Sequence, residues 1–240
     1  MDKVIVSEHL GYHNSNLSKS IERLEKGKGY RDLSTIIICP TRGMIADRVV
    51  QCWMNLMRPM NQKVMGPLFI RGYEVGEAYC MGIDMILSNP DLRDWKYVLT
   101  LEEDNMPPID GLLKLYEGMD QFDVIGGLYW TKGEGGQPMI YGNPKLLPKT
   151  YQPQIPVEDS LQECNGLGMG FNLFKLDIFK NPRMERPFFK SVQETTPGVG
   201  VKACTQDLYF YDKACKVGYR FACDTRVKVG HYDAERDIVW

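Results

Sequence analysis

Residues 96–108 read KYVLTLEEDNMPP. The apolar run KYVLTL ends on three adjacent acids, Glu102, Glu103 and Asp104, and the pair Pro107-Pro108 follows. A short continuous run of apolar and β-branched residues is the pattern of a strand buried on both faces, as in a parallel sheet. Three carboxylates at the end of such a strand are costly unless something cationic neutralises them. Open α/β sheets bind ligands at the carboxyl ends of their strands. The stretch therefore predicts a parallel sheet and places a candidate site at its edge.

Similar patterns lie on both sides. Upstream, TIIIC (35–39) predicts a buried strand that stops at Pro40. Helical spacing follows at 44–57, then a second strand at 63–70 interrupted by Gly66 and Pro67, then a helix at 74–87. Downstream, the proline pair predicts a helix at 109–119, because proline suits a first helical turn, and FDVIGGLYW (122–130) predicts another strand. This alternation implies an α/β fold with a mostly parallel sheet and helices on both faces.

The second half is less regular. Residues 131–160 are rich in Gly, Pro and Lys and predict a long loop, with a hairpin strand near 138–141. Residues 165–179 predict a Gly-rich entry into a strand or helix, and 187–204 a flexible loop. Beyond them lie a helix at 207–217 and strands at 219–223 and 226–229. The polar residues 1–34, with a helix at 17–26, read as a peripheral segment, and 35–240 as a single domain. No internal repeat is present.

The chain has 240 residues, 43% apolar and 25% charged, with a formal charge of −2. These values fit a globular protein and exclude an overall basic coat. No apolar run approaches the roughly 18 residues of a membrane span, and residues 1–15 lack a signal-peptide core, so the expected compartment is cytoplasmic (host cytoplasm for a viral protein). Seven scattered cysteines argue for reduced thiols rather than a disulfide scaffold, and Cys204, Cys215, Cys223 and His231 are spaced too evenly for a zinc finger. Charge is uneven. Eight acids against two bases over 102–134 give −6, and eleven bases against six acids over 175–228 give +5. The second segment is compatible with a polyanionic partner such as DNA, or with an ordinary solvated face.

Carboxylates at 102–104 suit Mg2+ or Mn2+, which bridge protein oxygens to substrate phosphates. His231 adds a nitrogen donor suited to Mn2+. Asp207 opens a predicted helix, where an acid serves either as a first-turn charge or as a general base. Arg42 and Arg71 suit diphosphate or nucleotide base. Trp130 suits stacking on a sugar or base, or core packing. The run Asn165-Gly166-Leu167-Gly168-Met169-Gly170 is not a dinucleotide fingerprint, since its third glycine comes one residue early.

In order along the chain, Cys39-Pro40-Thr41-Arg42, the triad Glu102-Glu103-Asp104, Thr205-Gln206-Asp207 and Val229-Gly230-His231 resemble the motifs of GT-A glycosyltransferases, close to family 2. The resemblance covers roughly 35–236. It implies a metal-dependent transferase moving a sugar from a nucleotide-sugar donor, with UDP the first choice, to a hydroxyl acceptor. It implies nucleotide contacts at Pro40, Thr41, Arg42, Arg71, Glu102 and Glu103, and metal ligands among Glu102, Asp104 and His231. It also implies a base at Asp207, and donor-sugar or acceptor contacts at Trp130, Asn165, Gly166 and Gly168. Here the first acid is Glu rather than Asp, which leaves open which acids face metal and which face ribose. Bacterial and viral enzymes of this size include relatives of those that glucosylate hydroxymethylated DNA bases. A hydroxymethylated pyrimidine in DNA is thus one candidate acceptor, beside a polysaccharide or a small molecule.

Two other classes remain. A sugar nucleotidyltransferase would want a lysine-containing glycine-rich loop after the first strand, which ICPTRGM lacks. A non-catalytic carbohydrate- or nucleotide-binding module would need neither Asp207 nor His231. No Gly-x-Ser-x-Gly elbow supports a serine hydrolase.

Overall fold

The computed structural model describes residues 31–196 and 200–240, with the side chains of 194–196 and 200–203 left aside. The expected helix at 17–26 lies outside the described residues. The main sheet has seven strands. They are β1 (Thr35–Thr41), β2 (Val64–Arg71), β3 (Tyr97–Leu101), β5 (Val124–Leu128), β7 (Leu161–Cys164), β9 (Phe171–Lys175) and β12 (Phe221–Lys228). Their spatial order is β2-β1-β3-β9-β5-β12-β7. β1 runs parallel to β2 and β3, and β5 parallel to β12, while β9 lies antiparallel between β3 and β5 and β7 antiparallel at the edge. Five of the seven strands therefore point one way.

Away from the register shifts in β2 and β12, side chains alternate across this sheet, as the two-residue period of a strand requires. Ile36, Ile38, Val98, Val124, Phe174, Phe221 and Cys223 face one core layer. Ile37, Tyr97, Leu99, Ile125, Leu173 and Ala222 face the other. Helices α2 (Val75–Ser88) and α4 (Gln206–Val217) cover the first layer through Tyr79, Ile83, Ile86, Phe210, Tyr211 and Ala214. Helix α3 (Gly111–Gly118) covers the second through Leu112, Leu115 and Tyr116. The α/β architecture with helices on both faces matches the sequence expectation.

Several boundaries differ. Helix α1 (Asp47–Met54) is shorter than the expected 44–57. β2 keeps its strand at the sheet edge despite Gly66 and Pro67. Gly66 sits at φ +108° beside a register shift against β1, where a Cβ would lie 2.4 Å from the Ile37 carbonyl; an edge strand tolerates such a bulge. Residues 187–204, expected as a loop, contain an antiparallel pair, β10 (Val192–Thr196) with β11 (Gly200–Cys204). The two strands expected at 219–223 and 226–229 are one strand, β12; its pairing to β5 shifts register between Asp224 and Lys228, at the expected break. Leu33 and Ser34, expected in a peripheral segment, are buried, and Leu33 joins the second core layer.

Short strands bring distant segments to the carboxyl end of the sheet. β4 (Asn105–Met106) comes directly after the acids, and β13 (Gly230–Asp233) pairs antiparallel with it, setting His231 opposite Asn105. β14 (Ile238–Val239) backs β13. Finally, β6 (Ile140–Tyr141) pairs with β8 (Gly166–Leu167); a strand stands where one was expected near 138–141, but its partner is this distant segment rather than the adjacent arm of a hairpin.

Candidate functional site

The acids leave β3 where the sheet ends, and each is held differently. Glu103 turns back to β1. Its Oε2 accepts from Thr41 Oγ1 at 2.6 Å and from the Arg42 amide at 2.9 Å, and its Oε1 accepts from Arg42 Nε at 2.5 Å. Burial works to raise this carboxyl, but the Thr41 and Arg42 hydrogen bonds prevail and hold it below its ordinary value. Both oxygens serve as a clamp between the ends of β1 and β3. Pro40, Thr41 and Arg42 are thus gathered beside the acids, and the Arg71 guanidinium reaches Gly43, within 2.4 Å of where a Cβ would stand there.

Glu102 points the other way, into the α2 side. Its Oε1 accepts from the Tyr79 hydroxyl at 2.8 Å. Burial, then the charge of Asp104, pushes it up to about 7. Tyr79 and Tyr129 are fully or nearly fully buried, and each hydroxyl is pushed up by burial and then by the charge of Glu102.

Asp104 meets His231. The pairing of β13 with β4 achieves this, reinforced by the Tyr232 amide donating to the Asp104 carbonyl at 2.7 Å. His231 Nδ1 lies 2.8 Å from the Trp130 carbonyl oxygen, which can only accept. The neutral ring must therefore carry its proton on Nδ1, leaving a lone pair on Nε2. That Nε2 faces Asp104 Oδ2 at 3.5 Å. A carboxylate oxygen and an imidazole lone pair aimed at each other suit a shared cation. A carbonyl ordering the far nitrogen of a ligating histidine is the usual arrangement behind a metal. Among the described residues no group of three His, Cys, Asp or Glu converges as a ready cage. Two protein donors fit an ion that completes its shell with water and substrate phosphates, the usual habit of Mg2+. Of the three expected ligands, then, Asp104 and His231 come together, whereas Glu102 has one oxygen committed to Tyr79.

Lys132 also reaches Asp104, with Nζ 2.5 Å from Oδ2. Burial works to raise Asp104, but His231, in its protonated form, and the Lys132 ammonium overcome it and hold the carboxyl down at about 2 when no metal is bound. In sequence Lys132 is one lysine in a polar loop; the nearby Trp130 is the only hint that this loop enters the site.

Asp207 stands in the first turn of α4 and is buried. Its Oδ1 accepts from the Leu208 amide at 2.8 Å and from the Thr205 hydroxyl. Burial raises it, against those hydrogen bonds. Its charge acts on Glu102, Tyr129 and Tyr141, which sets it on the same side of the sheet as Glu102.

The remaining candidates mainly shape the walls. Trp130 is half-buried against the first core layer and bridges to Pro138. Asn165 is buried, its amide donating to the Thr150 carbonyl at 2.9 Å, so it pins the 142–150 loop. Gly166 packs on Tyr211. At Gly168 a Cβ would lie 2.2 Å from the Tyr129 hydroxyl, and at Gly170 2.5 Å from Asn105 Oδ1. The glycines therefore let backbone press against the site's floor. Asn105 is fully buried, and its side-chain atoms have no hydrogen-bond partner among the described residues.

The charge split seen in sequence resolves into ion pairs. Lys175 binds Asp123 at 3.0 Å, Arg220 binds Glu163 at 3.0 Å, Arg226 binds Glu117 at 3.0 Å, and Arg186 pairs with Asp84. Each of these acids lies outside 175–228, so much of that segment's excess is neutralised within the fold.

No family model and no curated protein matches the sequence. Solved structures do resemble the fold. A197 from STIV is 20% identical over 86% of this chain and 93% of its own, with a TM-score of 0.58. GalNAc-T7, solved with UDP, GalNAc and Mn2+, is 10% identical over 85% of this chain and 44% of its own, with a TM-score of 0.54. An inositol-1-phosphate CTP transferase from T. maritima is 10% identical over 87% of this chain and 92% of its own, and its TM-score of 0.48 lends no support to either activity. The seven-stranded sheet, its inserted antiparallel strand and the likenesses to A197 and GalNAc-T7 give the chain a GT-A-like α/β fold.

Proposed function

We propose that the chain is a metal-dependent glycosyltransferase that moves a sugar from a nucleotide-sugar donor, with UDP the first choice, to a hydroxyl acceptor. The observation that carries this reading is the facing of Asp104 Oδ2 and His231 Nε2 at 3.5 Å, with the tautomer set by the Trp130 carbonyl. It lies at the carboxyl end of β3, where such sheets bind ligands.

In this reading Asp104 and His231 hold a Mn2+ or Mg2+ ion. When bound, that ion supplies Lewis-acid neutralisation of the departing diphosphate. The other groups take their roles from their positions. Thr41, Arg42 and Glu103 form a rigid ledge at the end of β1 against which the nucleotide lies; Pro40 and Arg71 flank it. Arg42 is mostly exposed, so its free guanidinium nitrogens remain able to pair with phosphate or base. Trp130, Gly168 and Gly170 line the route to the sugar. Asp207, raised by burial, accepts the acceptor's hydroxyl proton as that oxygen bonds the anomeric carbon and the carbon–oxygen bond to diphosphate breaks.

The acceptor contributes a hydroxyl. A hydroxymethylated pyrimidine in DNA and a glycan both satisfy this. Because Lys175, Arg186, Arg220 and Arg226 are paired with acids, charge does not favour the polyanion.

The test is a nucleotide-sugar panel read by release of nucleoside diphosphate, with Mn2+ and with excess EDTA. A donor turned over only with the divalent ion is expected. Full turnover in EDTA, or no turnover of any donor with any hydroxyl acceptor, would overturn the reading.

A further inference from the structure

We propose that Lys132 is a tethered counter-ion that occupies the cation position on Asp104 and is displaced by the divalent ion, after which it pairs with the donor's diphosphate. This rests on the divalent-ion reading above. Lys132 Nζ lies 2.5 Å from Asp104 Oδ2, the same oxygen that faces His231 Nε2. Ammonium and metal therefore compete for one oxygen. The side chains of Lys132 and Asp104 are 32% and 24% exposed, so solvent and ions reach the pair.

The loop that carries Lys132 is built for such an exchange. Its base is fixed: Trp130 bridges to Pro138, the Thr131 amide donates to the Gln137 carbonyl at 2.9 Å, and the Gln137 amide donates to Thr131 Oγ1 at 2.9 Å. Its tip is not packed. Gly133 and Gly135 have φ of +105° and +74°, and nothing lies within 4 Å of where their Cβ atoms would stand. Lys132 sits between fixed base and unpacked tip, on a flexible four-carbon stem. The same base presents the Trp130 carbonyl that orients His231. Metal ligand and counter-ion are thus set by one loop. An ammonium displaced from Asp104 is left beside a metal-bound diphosphate, whose oxygens are its best available partners.

The consequence is a coupling between lysine and metal that no purely structural ion pair would show. Wild type, Lys132→Met, Lys132→Arg and Asp104→Ala are titrated with Mn2+ alone by calorimetry and by electron paramagnetic resonance. Lys132→Met is expected to bind Mn2+ about two- to fivefold more tightly than wild type, the size of a partly exposed ion pair released from competition. Lys132→Arg, which keeps the charge, is expected to bind as wild type does. The Mn2+-loaded proteins are then titrated with inorganic diphosphate, where Lys132→Met is expected to bind several-fold more weakly. If Asp104→Ala binds Mn2+ as wild type does, the divalent-ion reading fails and this inference with it. If Asp104→Ala loses Mn2+ while Lys132→Met binds it no more tightly than wild type, only the competition is refuted. Equal diphosphate affinity in wild type and Lys132→Met refutes the second role of the lysine.

Discussion

Replacing Glu102 with Gln should make the protein's stability less sensitive to alkali. Glu102 is pushed from 4.5 up to about 7, by burial and then by Asp104. A carboxyl whose folded value lies above its unfolded one is favoured by the fold while protonated. Its contribution is complete below about pH 4.5 and is lost as pH rises through about 7. The displacement of about 2.5 units corresponds to about 3.4 kcal/mol at 1.36 kcal/mol per unit. Solvent reaching the half-buried carboxyl lowers this to about 2 kcal/mol. Glutamine keeps an oxygen to accept the Tyr79 hydroxyl and carries no charge. In metal-free buffer at pH 5 the two proteins should melt within a degree or two of each other. At pH 8 Glu102→Gln should melt higher by about 4–8 °C, since 1 kcal/mol moves Tm by roughly 2–4 °C at this chain length. The assay is thermal unfolding by circular dichroism at half-unit pH steps. A melting difference that stays constant from pH 5 to pH 8 would refute the argument, because it would mean that Glu102 titrates alike in folded and unfolded chains.

The same geometry sets other outcomes. Asp207→Asn keeps the acceptor oxygen for the Leu208 amide and should lower transfer about 10²–10⁴-fold with little change in donor affinity, read by kcat against donor Kd. Gly170→Ala puts a Cβ 2.5 Å from Asn105 Oδ1 and should cost about 1–3 kcal/mol in chemical denaturation, while weakening Mn2+ binding by shifting β4. Thr41→Val removes a 2.6 Å hydrogen bond to Glu103 and should raise donor KM several-fold without changing the metal requirement; an unchanged KM would separate the ledge from the nucleotide. Acceptor KM measured at two salt concentrations should be flat for a neutral glycan, and should rise steeply, with a slope of roughly −0.9 per phosphate contact in affinity, for duplex DNA.

What the sequence determined by itself is local. TIIIC and KYVLTL are legible as buried strands because continuous β-branched and aromatic runs have few other uses, and the helix expected at 74–87 is found at Val75–Ser88 because helical spacing persists over several turns. The acids are legible as a site because their charge contradicts the burial of the strand before them. What only the tertiary structure decided is which of these groups meet. Asp104 and His231 are more than half the chain apart, and β13, too short and polar to announce itself, joins them by pairing with β4. The three acids look equivalent in sequence, yet successive side chains diverge as the chain leaves β3: Glu103 is bound by Thr41 and Arg42, Glu102 by Tyr79, and Asp104 is left to His231 and Lys132. The antiparallel β9 between β3 and β5, the capture of Lys132 by Asp104, and the neutralisation of the basic half by Asp84, Glu117, Asp123 and Glu163 are likewise long-range. Periodicity records which face of an element is buried. It carries no record of which distant partner covers that face, because the pairing is chosen by the packing of the whole sheet.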